Sequence, residues 1–371
     1  MKKSFFAALV LIILIIIFPL FVLGEETALD RQIDTSGIPQ LNELTKSARE
    51  FDEDFDFESR VREEISGQRR EGEWKNILEN CVNLFFGSLK STVADIGKIM
   101  ITVIIFGIIL RLIPEGTTCE IAFYCTYAVI FSICLLSFTQ AAQVGKDAVA
   151  QLNFFVKGAV PVMCSLGVPS GQIISSTQIA AIIGGICVVT EGAERILMPF
   201  TCLMASLAAA NNLSDEISFK GLEQTIKKVI MWFIGIVMTV FVSLLKVRGI
   251  TGATIDSAGG KLVKFAVGNM IPFVGGIISD SLENIISYSK AIKAGCGAVG
   301  IIAVIYMVLP PVMKIFGMLI AFRLSEMITS PVADRRISGA ISNFSDILGL
   351  VLIIVVTISI LFIIAIGSLA I

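Results

Sequence analysis

Residues 347–367 read ILGLVLIIVVTISILFIIAIG, an apolar run without one ionisable side chain. A hydrocarbon layer about 30 Å thick is crossed by roughly twenty such residues in a helix. The helix is also the form that keeps every backbone N–H and C=O bonded within its own segment. Outward from this run, comparable stretches occupy 96–113, 121–142, 173–190, 229–247 and 298–321, with a shorter one at 196–210. The fold class read from them is an all-α polytopic membrane protein with about six to eight transmembrane helices.

Composition agrees. The 371 residues are 55% hydrophobic and only 16% charged, with a mean hydropathy of +0.86, whereas soluble domains carry about 25% charged residues. There is no histidine, which removes Ser-His-Asp triads, Cys-His pairs and every His-containing metal site. A net charge of −2 and a pI near 5.5 argue against a nucleic-acid partner. Gly259-Gly260-Lys261 is followed by Leu262 and lacks the upstream glycine of a phosphate-binding loop. Energy from ATP would therefore have to come from a partner. The chain reads as a non-enzyme, with no catalytic residue, cofactor site or metal site. Of its eight cysteines, Cys125, Cys134, Cys164, Cys187 and Cys202 lie inside apolar runs, and no CxxC spacing occurs. They read as small buried hydrophobes rather than a disulfide framework.

The charge is concentrated near the N-terminus. Fifteen of the 31 carboxylates fall between Glu25 and Lys75, against eight Lys and Arg. So acidic a stretch cannot bury enough surface for a sizeable core of its own. Glu50 to Glu58, with Phe51, Phe55 and Phe57 among carboxylates, reads as a solvated amphipathic stretch. Before it, Lys2 and Lys3 precede an apolar run from Phe5 to Leu23, the pattern of an export signal. The run is long enough to serve as an uncleaved anchor instead. The expected domains are 1–24, signal peptide or anchor; 25–90, an acidic extracytoplasmic segment; and 91–371, the multi-span membrane domain.

Two apolar stretches are interrupted. Residues 149–168 contain Lys157, Gly158, Pro161 and Gly167, and 262–279 contain Asn269, Pro272, Gly275 and Gly276. Broken helices in lipid need protein or water to satisfy the freed backbone groups, so both are expected in the interior or at an interface. A shift of 111 residues places Pro161 on Pro272, Gly184 on Gly295 and Pro199 on Pro310. Over 154–231 against 265–342 it gives sixteen identities, where composition alone gives roughly seven. This reads either as a tandem duplication with one broken element per half, the pattern of a transport pathway at a repeat interface, or as two packing kinks. Counting crossings from an exported residue 80 brings Lys246, Arg248, Lys261 and Lys264 to the cytoplasm, as the positive-inside rule asks. The count takes 96–113, 121–142, 173–190, 196–210 and 229–247 as the crossings and requires 149–168 not to cross; it makes the halves inverted and leaves Lys220, Lys227 and Lys228 outside.

Candidate pathway residues are Lys157, Pro161, Asp256, Asn269, Pro272, Gly275, Gly276 and Asp280. Lys157 lies within an apolar stretch, where an ionisable group is a functional hypothesis, although its long stem can also snorkel to an interface. Glu191 and Glu194 share a helix face beside Arg195, either as a proton or cation relay or as ordinary interfacial charges. Asp256 and Asp280 bracket the segment from Asn269 to Gly276, where the glycine pair permits close helix approach or an unwound backbone.

At these residues the chain resembles the stage III sporulation protein AE family. The likeness rests on Arg248-Gly249, Asp256, Lys264-Phe265, Asn269-Met270-Ile271-Pro272-Phe273-Val274-Gly275-Gly276 and Ser279-Asp280. It continues through Lys290, Lys293, Pro310 and Pro331-Val332-Ala333-Asp334-Arg335-Arg336-Ile337. The resemblance implies a multi-pass protein of the mother-cell membrane around the forespore, a subunit of a secretion-like or feeding channel required for forespore development. It implies as partners the other proteins of the stage III sporulation A operon, including a secretion-ATPase-like protein and ring-forming proteins, and a forespore-membrane partner. The lipid bilayer is the remaining partner, and a homo-oligomer is compatible with the reading. The alternatives are an independent ion- or proton-coupled secondary transporter using Lys157, Glu191 or Glu194, and a membrane scaffold without a pore.

Overall fold

The computed structural model describes residues 33, 36–67, 73–113, 116–170, 172–213, 219–270, 275–331 and 333–370, with side chains between 246 and 285 outside the description. All regular structure among the described residues is helical. A short α1 (Ile38–Leu44), a 3-10 turn (Lys46–Glu50) and α2 (Phe57–Ser66) precede six long helices. These are α3 (Glu73–Leu112), α4 (Thr117–Gly167), α5 (Ile173–Leu213), α6 (Lys220–Met270), α7 (Gly275–Thr329) and α8 (Arg335–Ala370).

The most apolar run in the sequence becomes the central helix. On α8, Ile347, Val351, Ile354, Ile358, Leu361 and Ala365 are all buried, a three-to-four spacing that turns one continuous stripe inward. Helix α8 packs against α4, α5 and α7. Directions follow from the contacts. Arg336 lies over Phe123, and Phe344 meets both Phe131 and Phe138, so α8 runs parallel to α4. Arg323 pairs with Asp346, and a Cβ on Gly300 would meet Ile366, so α7 runs against α8. Lys157 reaches Glu191 and Cys164 reaches Ser176, so α5 runs against α4 and with α7. The helices that the 111-residue shift equates therefore run in the same direction. The inverted arrangement is not found.

The inverted expectation fails because 173–190 and 196–210 are parts of one helix, α5. Only the Glu191–Arg195 turn separates them in hydropathy, and Glu, Ala and Arg are good helix formers. The interruption expected at Pro161 is likewise absent, since α4 continues through it to Gly167. Proline removes one backbone donor, but Pro161 is on the exposed face, so the cost falls where no packing depends on it.

The acidic segment is not a solvated appendage. Phe51, Phe55 and Phe57 are 6%, 1% and 1% exposed. Phe51 and Phe55 pack on Tyr306 of α7 at 4.6 and 5.4 Å, and Phe57 faces Phe155 of α4 at 6.4 Å. Gly158 admits this close approach, because a Cβ there would lie 2.1 Å from Leu44 Cδ1. The carboxylates sit on the other side, with Glu43, Glu53, Asp54 and Glu64 exposed. Helix α3 begins at Glu73 and runs through residue 90 without a break.

Asp56 ties this segment together. As the N-cap of α2 it accepts from the Ser59 N–H and hydroxyl, both at 2.8 Å, and from the Asn42 amide at 2.6 Å. Burial alone would raise its pKa, but the Ser59 and Asn42 hydrogen bonds and the nearby Arg49 charge outweigh it and hold the carboxyl below its ordinary value. A depressed carboxylate contributes stability above its unfolded pKa and loses it as pH falls through the folded value. Asp56→Ala should therefore destabilise the segment by about 1 kcal/mol near pH 7, with the difference vanishing in acid well below about pH 4. Hydrogen exchange of the α2 amides at the two pH values measures this, and a pH-independent difference would contradict the capping role.

Candidate functional site

The buried polar contacts of the bundle gather along α4, α5 and α7. Thr190 on α5 donates to Asn153 Oδ1 on α4 at 2.9 Å, with both residues buried. Farther along, at the turn joining α4 to α5, Lys293 of α7 is 1% exposed and donates to Gln172 Oε1 at 2.5 Å, with Ser176 Oγ at 3.5 Å. Cys164 Sγ lies 3.5 Å from the Ser176 carbonyl. The fold brings these groups together for a local reason. Gly167 ends α4 where a Cβ would lie 2.1 Å from Ser176 Oγ, so its lack of a side chain lets the turn close on the serine. A buried ammonium must be held by hydrogen-bonding neighbours, and here it links α7 to the α4–α5 turn.

Of the expected pathway residues, Lys157 and Pro161 lie one turn apart on the exposed side of α4. Lys157 Nζ meets Glu191 Oε2 at 2.9 Å, and Glu191 Oε1 meets Arg195 at 2.7 Å. Lys157 is about half exposed, at 51%, so it is a surface ion-pair member rather than an interior group. Asp256 and Asn269 fall on α6, and Gly275, Gly276 and Asp280 on the first turns of α7. Their side chains lie outside the described residues, as does Pro272 altogether. Sequence reasoning missed the Lys293–Gln172–Ser176 junction as a site. Its available signal was Lys293 itself, a lysine just before the apolar run at 298–321.

Among the described residues four helical stretches are long and apolar enough to cross a membrane: Thr117–Gly167, Lys220–Leu245, Ile286–Thr329 and Arg335–Leu369. A shorter apolar helix covers Met100–Ile109. By length and composition, the chain is a helical membrane protein.

The family model for stage III sporulation protein AE matches residues 55–371, and the chain belongs to that family. The stage III sporulation protein AE of Bacillus subtilis (strain 168) is 23% identical over 317 residues, covering 79% of this chain and 78% of that protein. No solved structure matches. The family places the chain among sporulation proteins.

Proposed function

We propose that the chain is a non-enzymatic membrane subunit of a sporulation-specific, secretion-like or feeding channel between mother cell and forespore, required for forespore development. In this reading it resides in the mother-cell membrane around the forespore and crosses it six to eight times, with α3 to α8 supplying six crossings. It works with the other proteins of the stage III sporulation A operon, among them a secretion-ATPase-like protein that supplies energy and ring-forming proteins, and with a partner in the forespore membrane. Family membership supports the sporulation setting. The observation that carries the membrane-path reading is Lys293, a lysine buried in an apolar bundle between two helices that the 111-residue shift equates. An ionisable residue so placed marks a functional position by default.

The test is to affinity-purify the tagged full chain from membranes of sporulating cells. The expected result is co-purification of the ATPase-like and ring-forming proteins. Recovery of the chain alone, together with solute uptake by the purified chain in proteoliposomes, would instead establish an independent transporter. A second measurement addresses the path itself. In a background with the eight native cysteines replaced, Asn269→Cys and Gly275→Cys should react with a membrane-impermeant thiol reagent. Protection of both, with exposed-loop controls labelled, would remove the path from this segment.

A further inference from the structure

We propose that the cleft between the 3-10 turn, α3 and α7 binds a small zwitterionic solute of the amino-acid type. The cleft is open to the surface and has a volume of about 390 Å³, within the range of sites for small organic ligands. Two opposite charges line it from different elements, Glu50 at the end of the 3-10 turn and Lys314 on α7. Both are exposed, and neither forms an ion pair with any described residue. They face one cavity without neutralising each other. The amides of Asn80 and Asn83 add neutral donors and acceptors, while Phe51 and Leu84 give it an apolar wall.

The walls are fixed. Asn80 Nδ2 donates to the Phe51 carbonyl at 3.1 Å, tying α3 to the docked segment. Phe51 is itself held on Tyr306. At Gly317, one turn past Lys314, a Cβ would lie 3.1 Å from Ser88 Cβ, so α7 and α3 are in close contact at the end of the cleft.

The charge pattern selects the ligand class. A plain anion gains Lys314 but meets Glu50 as a like charge, and a plain amine has the opposite difficulty. A molecule carrying both groups meets each of these charges with its opposite. Its apolar side chain rests against Phe51 and Leu84. Binding here is a property of the single chain, so it neither requires the assembly partners nor depends on the conduit reading.

The experiment uses the full chain in detergent and three labelled probes in equilibrium dialysis. L-Leucine carries both charges, 3-methylbutylamine lacks the carboxylate, and 4-methylpentanoate lacks the ammonium. Leucine should bind about tenfold or more tightly than either analogue. In Glu50→Gln leucine should bind no better than the acid does to the same variant, and in Lys314→Gln no better than the amine does. The exchange Glu50→Lys with Lys314→Glu should restore leucine binding with the ligand reversed, an effect that a merely structural role for either residue would not produce. Equal binding of the three probes, no saturable leucine binding up to about 10 mM, or unchanged affinity in both single variants would overturn the assignment.

Discussion

Phe55→Ala releases residues 36–67 from the bundle, and trypsin then cuts at Arg60 and Arg62 about a hundredfold faster or more, in protein that otherwise stays folded. Phe55 is 1% exposed, with its ring against Tyr306 and the Arg60 guanidinium 5.6 Å from the ring centroid. Truncating a buried phenylalanine typically costs about 3–5 kcal/mol, and each 1.4 kcal/mol is a factor of about ten in an opening equilibrium. Glu53→Ala, on the exposed side, serves as the control and should cut at the parent rate. If Phe55→Ala is cleaved no faster than that control, the aromatic contacts do not hold the segment.

A second large effect is expected at the α4–α5 turn. Gly167→Ala places a Cβ 2.1 Å from Ser176 Oγ and 2.7 Å from Ser176 Cβ. Ser176 is itself buried and lies against the Lys293 ammonium. The serine must therefore move, and the lysine's setting moves with it. Overpacking of this kind costs about 1–3 kcal/mol. The bulkier Gly167→Leu should exceed that range and lower the thermal inactivation temperature of the detergent-solubilised protein further. Adding Ser176→Gly to Gly167→Ala empties the contested space and should recover most of the loss. Failure of that double variant to recover would show that the penalty arises somewhere other than this contact.

The long apolar runs were legible because hydrocarbon length and helix rise fix how many residues a crossing needs. The runs at 121–142, 229–247, 298–321 and 347–367 all lie within single helices. Continuity was less legible. Hydropathy falls at Glu191, Glu194 and Arg195, yet the backbone of α5 passes straight through, because Glu191 is paired on the exposed surface with Lys157 and Arg195. A proline in the sequence gives no hint of which helix face it occupies, and Pro161 faces outward. The docking of Phe51, Phe55 and Phe57 was illegible for another reason. Their local setting is acidic, and the surface that buries them is built from Tyr306 and Phe155, both far along the chain. The available local signal was the apolar pair Phe57 and Val61, one turn apart and both buried, against Glu58 and Glu64 on the other side. The cleft between Glu50 and Lys314 was hidden likewise, since its two charges meet only after the helices assemble.

The aromatic anchors at 51–57 leave the ribosome about 250 residues before Tyr306 does, which at ordinary translation speeds is a delay of tens of seconds. During that interval Phe51 and Phe55 lack the tyrosine they pack on. Whatever handles the newborn polypeptide must keep them from sticking elsewhere until α7 arrives, so the fastening of the front of the molecule is among the last events of its manufacture.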